Sequence, residues 1–285
     1  VVTRWFHAKR ASALAIASTG LSVGGIVVTP FVKLIIDDRG IRGGSPWLAL
    51  MWLVGIVPAT VLFLRPFPQP LGWLPDGERV VEGQKPLVTG VPLHEAVKSR
   101  FFLAVSIGYI FGLGAQVGAV QQLVKLVEER TDKATATVAM IVLSSMSILG
   151  RFAGGRVIPK TSMIRFTIGV AATQAVALAA LSSLGSPLPI LLSIGLFGAA
   201  TGNMLMMQSL LIADRFGVRD FPRISARVGL IAFSGTAGGP LLLGWLHDAA
   251  GGYRTSYLVA SMCSLFAAVI FSMADGSTIS TDANQ

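Results

Sequence analysis

Eight stretches of this chain are long enough and apolar enough to cross a lipid bilayer: Ala11–Val32, Trp47–Leu64, Phe102–Val124, Ala134–Leu149, Phe166–Leu184, Pro187–Ala213, Val228–Trp245 and Ser256–Met273. A hydrocarbon core takes roughly 20 mainly apolar helical residues, and about 18 with few charges already qualify. Lipid offers no water to backbone N–H and C=O groups, so such segments must satisfy their hydrogen bonds internally, as helices. The fold class is therefore all-α and integral to a membrane. Composition agrees: the chain is 53% hydrophobic and 13% charged, where a soluble domain carries about 25% charged residues. A net charge of +9 would point a soluble chain toward nucleic acid. Here the basic residues sit between spans without interleaved aromatics, and no nucleic-acid partner is expected. The lone Cys263 lies in the last span and excludes an internal disulfide framework.

Charge orients the spans. With the segment before Ala11 on the cytoplasmic side, sixteen of the 23 Lys and Arg residues fall in cytoplasmic connections and seven in outside ones. That is the positive-inside bias of multi-pass proteins, and it places both chain ends in the cytoplasm. The first span follows Arg4, Lys9 and Arg10 as a signal peptide would, but it is too long, lacks a small-residue cleavage site and is followed by seven more spans.

A proline-marked polar interruption divides the chain into two spans within 1–65, a linker at 66–100, six spans within 101–274 and a polar tail at 275–285. Within the linker, Pro92 to Arg100 reads as a short helix on the membrane face, with Pro92 at its start and Lys98 and Arg100 near its end. Small residues recur four apart inside spans, at Gly20 and Gly24, Gly198 and Gly202, and Gly235 and Gly239. In lipid, such spacing lets helix backbones approach closely.

The end of the fourth span reads Gly150-Arg151-Phe152-Ala153-Gly154-Gly155-Arg156-Val157-Ile158-Pro159-Lys160. It resembles the loop signature of the major facilitator superfamily, with Gly150, Arg151, Gly155, Arg156 and Lys160 as its conformational motif. Pro159 stands where the family usually has aspartate, and Lys160 replaces an arginine. Trp5 to Arg10 with Gly20, Gly24 and Pro30, then Gly40-Ile41-Arg42, and finally Arg215-Phe216-Gly217, Gly235, Gly239-Pro240, Gly244, Asp248 and Gly251-Gly252-Tyr253 resemble the monocarboxylate-transporter-like and oxalate/formate-antiporter-like branches. The resemblance implies a major facilitator fold of two six-helix lobes about a cavity, each lobe built from inverted three-helix repeats. The eight spans then correspond to helices five to twelve of an expected twelve. With helices one to four absent, half the cavity wall opens to lipid, and the isolated chain is expected not to transport.

No phosphate-binding loop, His-Glu-x-x-His or dinucleotide fingerprint occurs, and His7, His94 and His247 are scattered over connections. No enzyme activity, cofactor or metal is expected. Polar residues within spans are the better guide, because burying them in lipid is costly unless they are paired or face a wet cavity. Tyr109 and Gln116 share one face of the third span, Ser144, Ser147 and Arg151 one face of the fourth, and Asn203 and Ser234 lie in the sixth and seventh. These seven are the candidate substrate-binding residues. Serines in helices commonly bond back to their own backbone, and Tyr109, Gln116 and Asn203 suit interhelical pairing as well as cavity lining. Arg151 suits either a lipid phosphate or a substrate carboxylate, whose geometry matches a guanidinium fork. No Asp or Glu lies in any of the eight stretches.

The expected function is secondary active transport, by symport or antiport, of a small monocarboxylate-like organic anion through alternating access. A rival reading is an exporter of hydrophobic or drug-like compounds, with Tyr109, Met204, Met206 and Met207 lining a chargeless cavity. A third, from another class, is a non-transporting membrane sensor or structural protein. The expected partners are a small-molecule solute and membrane lipid, the expected state a monomer, and the expected location the plasma or inner membrane.

Overall fold

The computed structural model describes residues 1–6, 9–65, 68–73, 76 and 90–275. The tail at 276–285 and much of the 66–100 linker, including Pro66, Pro75, Arg79, Lys85 and Pro86, lie outside the described residues, as does His7. The chain divides into two compact units, 1–87 and 88–285. Among the described residues there are helices and no strands, and seven helical stretches are long and apolar enough to cross a membrane: 34–63, 100–130, 133–160, 163–183, 187–216, 221–250 and 253–274.

In the first unit, α1 (Val2–Trp5) precedes α2 (Arg10–Phe63), whose backbone leaves helical geometry at one residue, Gly40 (φ 64°, ψ 175°). Laid straight, 54 helical residues would extend about 80 Å. Trp5 Nε1 nevertheless donates to the Arg65 carbonyl at 2.8 Å, so α2 is folded back on itself as two arms, 10–39 and 41–63. The expected spans Ala11–Val32 and Trp47–Leu64 fall on these two arms, though among the described residues of this unit only 34–63 is long and apolar enough to cross a membrane. The connection expected between them shrinks to a single residue, because only Gly40 has to adopt a φ/ψ pair essentially confined to glycine.

The second unit contains α3 (Leu93–Ala96), α4 (Arg100–Arg130), α5 (Lys133–Val157), α6 (Met163–Ser183), α7 (Pro187–Phe216), α8 (Phe221–Ala250) and α9 (Tyr253–Asp275). The short helix expected over 92–100 is shorter than its sequence suggests. Ser99 Oγ accepts from the Phe102 N–H and caps α4, so Arg100 opens the next helix rather than closing this one. Two long-range bonds pin the approach to α4: Val91 N donates to Phe216 O at 2.9 Å and Leu93 N to an Asp220 carboxylate oxygen at 3.0 Å.

The helices pair as two equivalent triplets. α4 lies against α8, α5 against α7, and α6 against α9. Both of the first two pairings are seamed by glycine at matching places: Gly114 and Gly118 face Gly235 and Gly239, while Gly198 and Gly202 face the α5 backbone from Leu143 to Ser147. A Cβ on Gly239 would stand 2.1 Å from Gly114 O, and one on Gly202 2.2 Å from Ser147 O. Without a hydrophobic drive between helices in lipid, this backbone-to-backbone approach supplies the packing. Polar side chains close the remaining gaps. Gln174 Nε2 on α6 donates to Gly112 O on α4 and to Ser264 Oγ on α9; Tyr257 OH donates to Ala119 O at 2.8 Å. Arg130, the last residue of α4, donates to the carbonyls of Leu181, Ser182 and Leu184 and so caps the end of α6.

Candidate functional site

The α5–α7 crossing gathers the chemistry. On α5, Ser147 and Arg151 share one face, and both are buried, Arg151 to 2% exposure. Its Nε–H donates to Gly202 O on α7 at 2.9 Å, which fixes the guanidinium plane inside the bundle. One residue on, Asn203 Nδ2 donates back to Gly150 O on α5 and to Ala199 O, both at 2.9 Å. Those two carbonyls set the amide's orientation, and its Oδ1 is buried with no hydrogen-bond partner. Gly150 permits this closeness, since a Cβ there would stand 2.5 Å from Ala199 O. Gly155 is buried on α5, whereas Arg156 and Lys160 are exposed at its end. Ser144, one turn before Ser147, is half-buried.

The other candidates lie elsewhere. Tyr109 on α4 is wholly buried, donates its hydroxyl to Met204 O at 3.0 Å and meets Phe271 edge-on at 5.2 Å. Gln116, two turns along α4, is buried with its Oε1 unpaired. Ser234 is exposed on α8 and bonds back to Ile231 O at 2.7 Å. Met204, Met206 and Met207 are buried among the helices. Gly202 as the partner of Arg151 did not stand out in the sequence. The signal was its place four residues after Gly198, facing an arginine four residues after Ser147.

Among the described residues no group of His, Cys, Asp and Glu is placed to hold a metal ion. What the crossing offers is one buried cation and one oriented amide. They are set in apolar helices that define a multi-pass α-helical membrane protein. The family model of the Major Facilitator Superfamily matches residues 1–211, and the chain belongs to that superfamily. It is 28% identical over 262 residues to the MFS transporter asaE of Aspergillus flavus, covering 88% of this chain and 55% of that protein. To an MFS-type transporter of Gibberella moniliformis it is 24% identical over 274 residues, covering 95% and 62%. The chain thus spans about half the length of the curated relatives it matches. Among solved structures, a variant of the Escherichia coli fucose:proton symporter FucP aligns with a TM-score of 0.69 at 16% identity, over 97% of this chain and 72% of that one. FucP in its outward conformation aligns at 0.67 and 13%. At these identities the likeness shows the fold.

Proposed function

We propose that the protein is a secondary active transporter of a small, monocarboxylate-like organic anion, working by alternating access. The observation that carries this reading is Arg151, a guanidinium buried in a span with its Nε–H held by Gly202 O. A carboxylate matches the geometry of the guanidinium fork. Ser147, on the same face of α5, is the hydrogen-bonding group proposed beside Arg151, while Asn203, whose amide is committed to Gly150 O and Ala199 O, holds the crossing together. Gly150, Gly155 and Arg156, expected in a loop, lie within the last turns of α5 and Lys160 in the turn after it, and this helix end is where the lobes would rock. Transport itself is proposed from the superfamily, from relatives named as MFS transporters and from a structural neighbour named as a proton symporter. In this reading the six-helix lobe is 101–274, both chain ends face the cytoplasm, and a monomer works in the plasma or inner membrane.

The rival reading, export of hydrophobic compounds, draws less support. Tyr109, Met204, Met206 and Met207 are packed inside the bundle, and the Tyr109 hydroxyl is committed to a backbone carbonyl. Uptake of labelled lactate, pyruvate and oxalate into vesicles, with the protein expressed from its own gene, separates the two. The anion reading expects mutual competition among the carboxylates and loss of uptake in Arg151→Ala. Competition by neutral hydrophobic compounds instead would favour the rival.

A further inference from the structure

A groove separate from the Arg151 face opens where α5 and α6 diverge over α7. It encloses about 750 Å³ and is lined by residues of all three helices and the turn that joins α5 to α6. Lys160 and Arg165, both exposed, flank that turn, while Phe166 and Val170 form part of its apolar wall. None of the residues lining it is acidic. Asn203 lines it too, 5% exposed, and its unpaired Oδ1 points at Gly154, where a Cβ would stand only 2.0 Å away.

The second triplet contains the matching groove, between α8, α9 and α4, lined by residues such as Ser234, Gly235, Gly239, Ala260 and Cys263. It holds about 250 Å³ and has no charged residue on its walls. The fold therefore makes two matching grooves, and only the first is furnished with cations. One turn deeper into the apolar zone from the first groove, on the same helix faces as Ala153 and Thr173, lie exposed Leu149 and Val176.

We propose that this groove binds an anionic phospholipid. The phosphate sits between Lys160 and Arg165, and the acyl chains follow Leu149 and Val176. Basic pockets between spanning helices recognise lipid phosphates in this way.

The test is native mass spectrometry of the protein from phosphatidylcholine nanodiscs containing phosphatidylglycerol. Wild type is expected to retain phosphatidylglycerol over phosphatidylcholine. Lys160→Gln with Arg165→Gln is expected to weaken retention roughly tenfold. Gly169→Phe provides a second variant with both cations intact, since Gly169 lines the groove and a Cβ there meets open space. It should block the groove and abolish retention without lowering the melting temperature. Retention unchanged in both variants, no preference over phosphatidylcholine, or displacement by millimolar inorganic phosphate would overturn the proposal. The last outcome would assign the groove to a soluble anion.

Discussion

Arg151 and Gly202 meet across the α5–α7 seam in two ways at once. The arginine Nε–H bonds the glycine carbonyl at 2.9 Å, and the missing glycine side chain lets that carbonyl come close, since a Cβ would stand 2.2 Å from Ser147 O. A single substitution therefore disturbs both packing and the plane of the cation. Gly202→Ala is expected to destabilise the bundle by about 1–3 kcal/mol, the usual cost of overpacking, and to reduce anion uptake beyond the loss in folded protein. Thermal unfolding in detergent, read beside uptake per folded molecule, checks both parts.

Neighbouring glycines on α8 provide an internal control. Gly239 faces Gly114 O at 2.1 Å from the position of a Cβ, whereas Gly238 has nothing within 4 Å. Gly239→Ala should destabilise by about 1–3 kcal/mol. Gly238→Ala should be neutral or stabilise by up to about 1 kcal/mol through helix propensity. Equal effects in unfolding experiments would contradict the α4–α8 seam.

The two-armed shape of α2 turns on Gly40, whose φ of 64° and ψ of 175° suit glycine alone. Gly40→Ala should cost about 1–3 kcal/mol and loosen the hairpin. A crosslink between cysteines placed at Trp5 and Arg65, joined by a 2.8 Å bond in the structure, should form readily in the parent and more slowly in the alanine variant.

At the start of α5, Asp132 accepts from both the N–H and the hydroxyl of Thr135, each at 2.8 Å. The Thr135 N–H holds this carboxyl below its ordinary range, with the hydroxyl second and slight desolvation opposing them. A depressed folded-state value means that the cap's contribution is present above the ordinary carboxylate range and lost as pH falls through the folded value. The protection of the Thr135 amide, taken relative to its intrinsic exchange rate at each pH, should therefore fall on acidification, and that loss should vanish in Asp132→Ala.

Much of the architecture was legible because lipid allows so few solutions. Apolar runs with no charges have to be helices, and glycines four residues apart, as at Gly198 and Gly202 or Gly235 and Gly239, mark the seams. The hairpin at Gly40 was harder to see. Asp37, Asp38, Arg39 and Arg42 read as a loop, yet all four are helical on either side of one glycine. At the site, periodicity put Ser147 and Arg151 on one face, but it could not say what that face meets. The acceptor of the Arg151 Nε–H is a backbone carbonyl, which carries no residue signature. The same limit hid the partners of Tyr109 and Tyr257, whose hydroxyls bond Met204 O and Ala119 O. The groove beside Asn203 was invisible for another reason: it exists only because α5 and α6 splay apart over α7.

In the proposed transporter, the Arg151 guanidinium is the group that takes a substrate carboxylate. The most direct test is the KM for labelled pyruvate uptake in Arg151→Lys, which keeps the charge and removes the fork. If Arg151 binds the anion, KM rises by roughly tenfold or more while the melting temperature stays near that of the parent. An unchanged KM in a folded variant would contradict it.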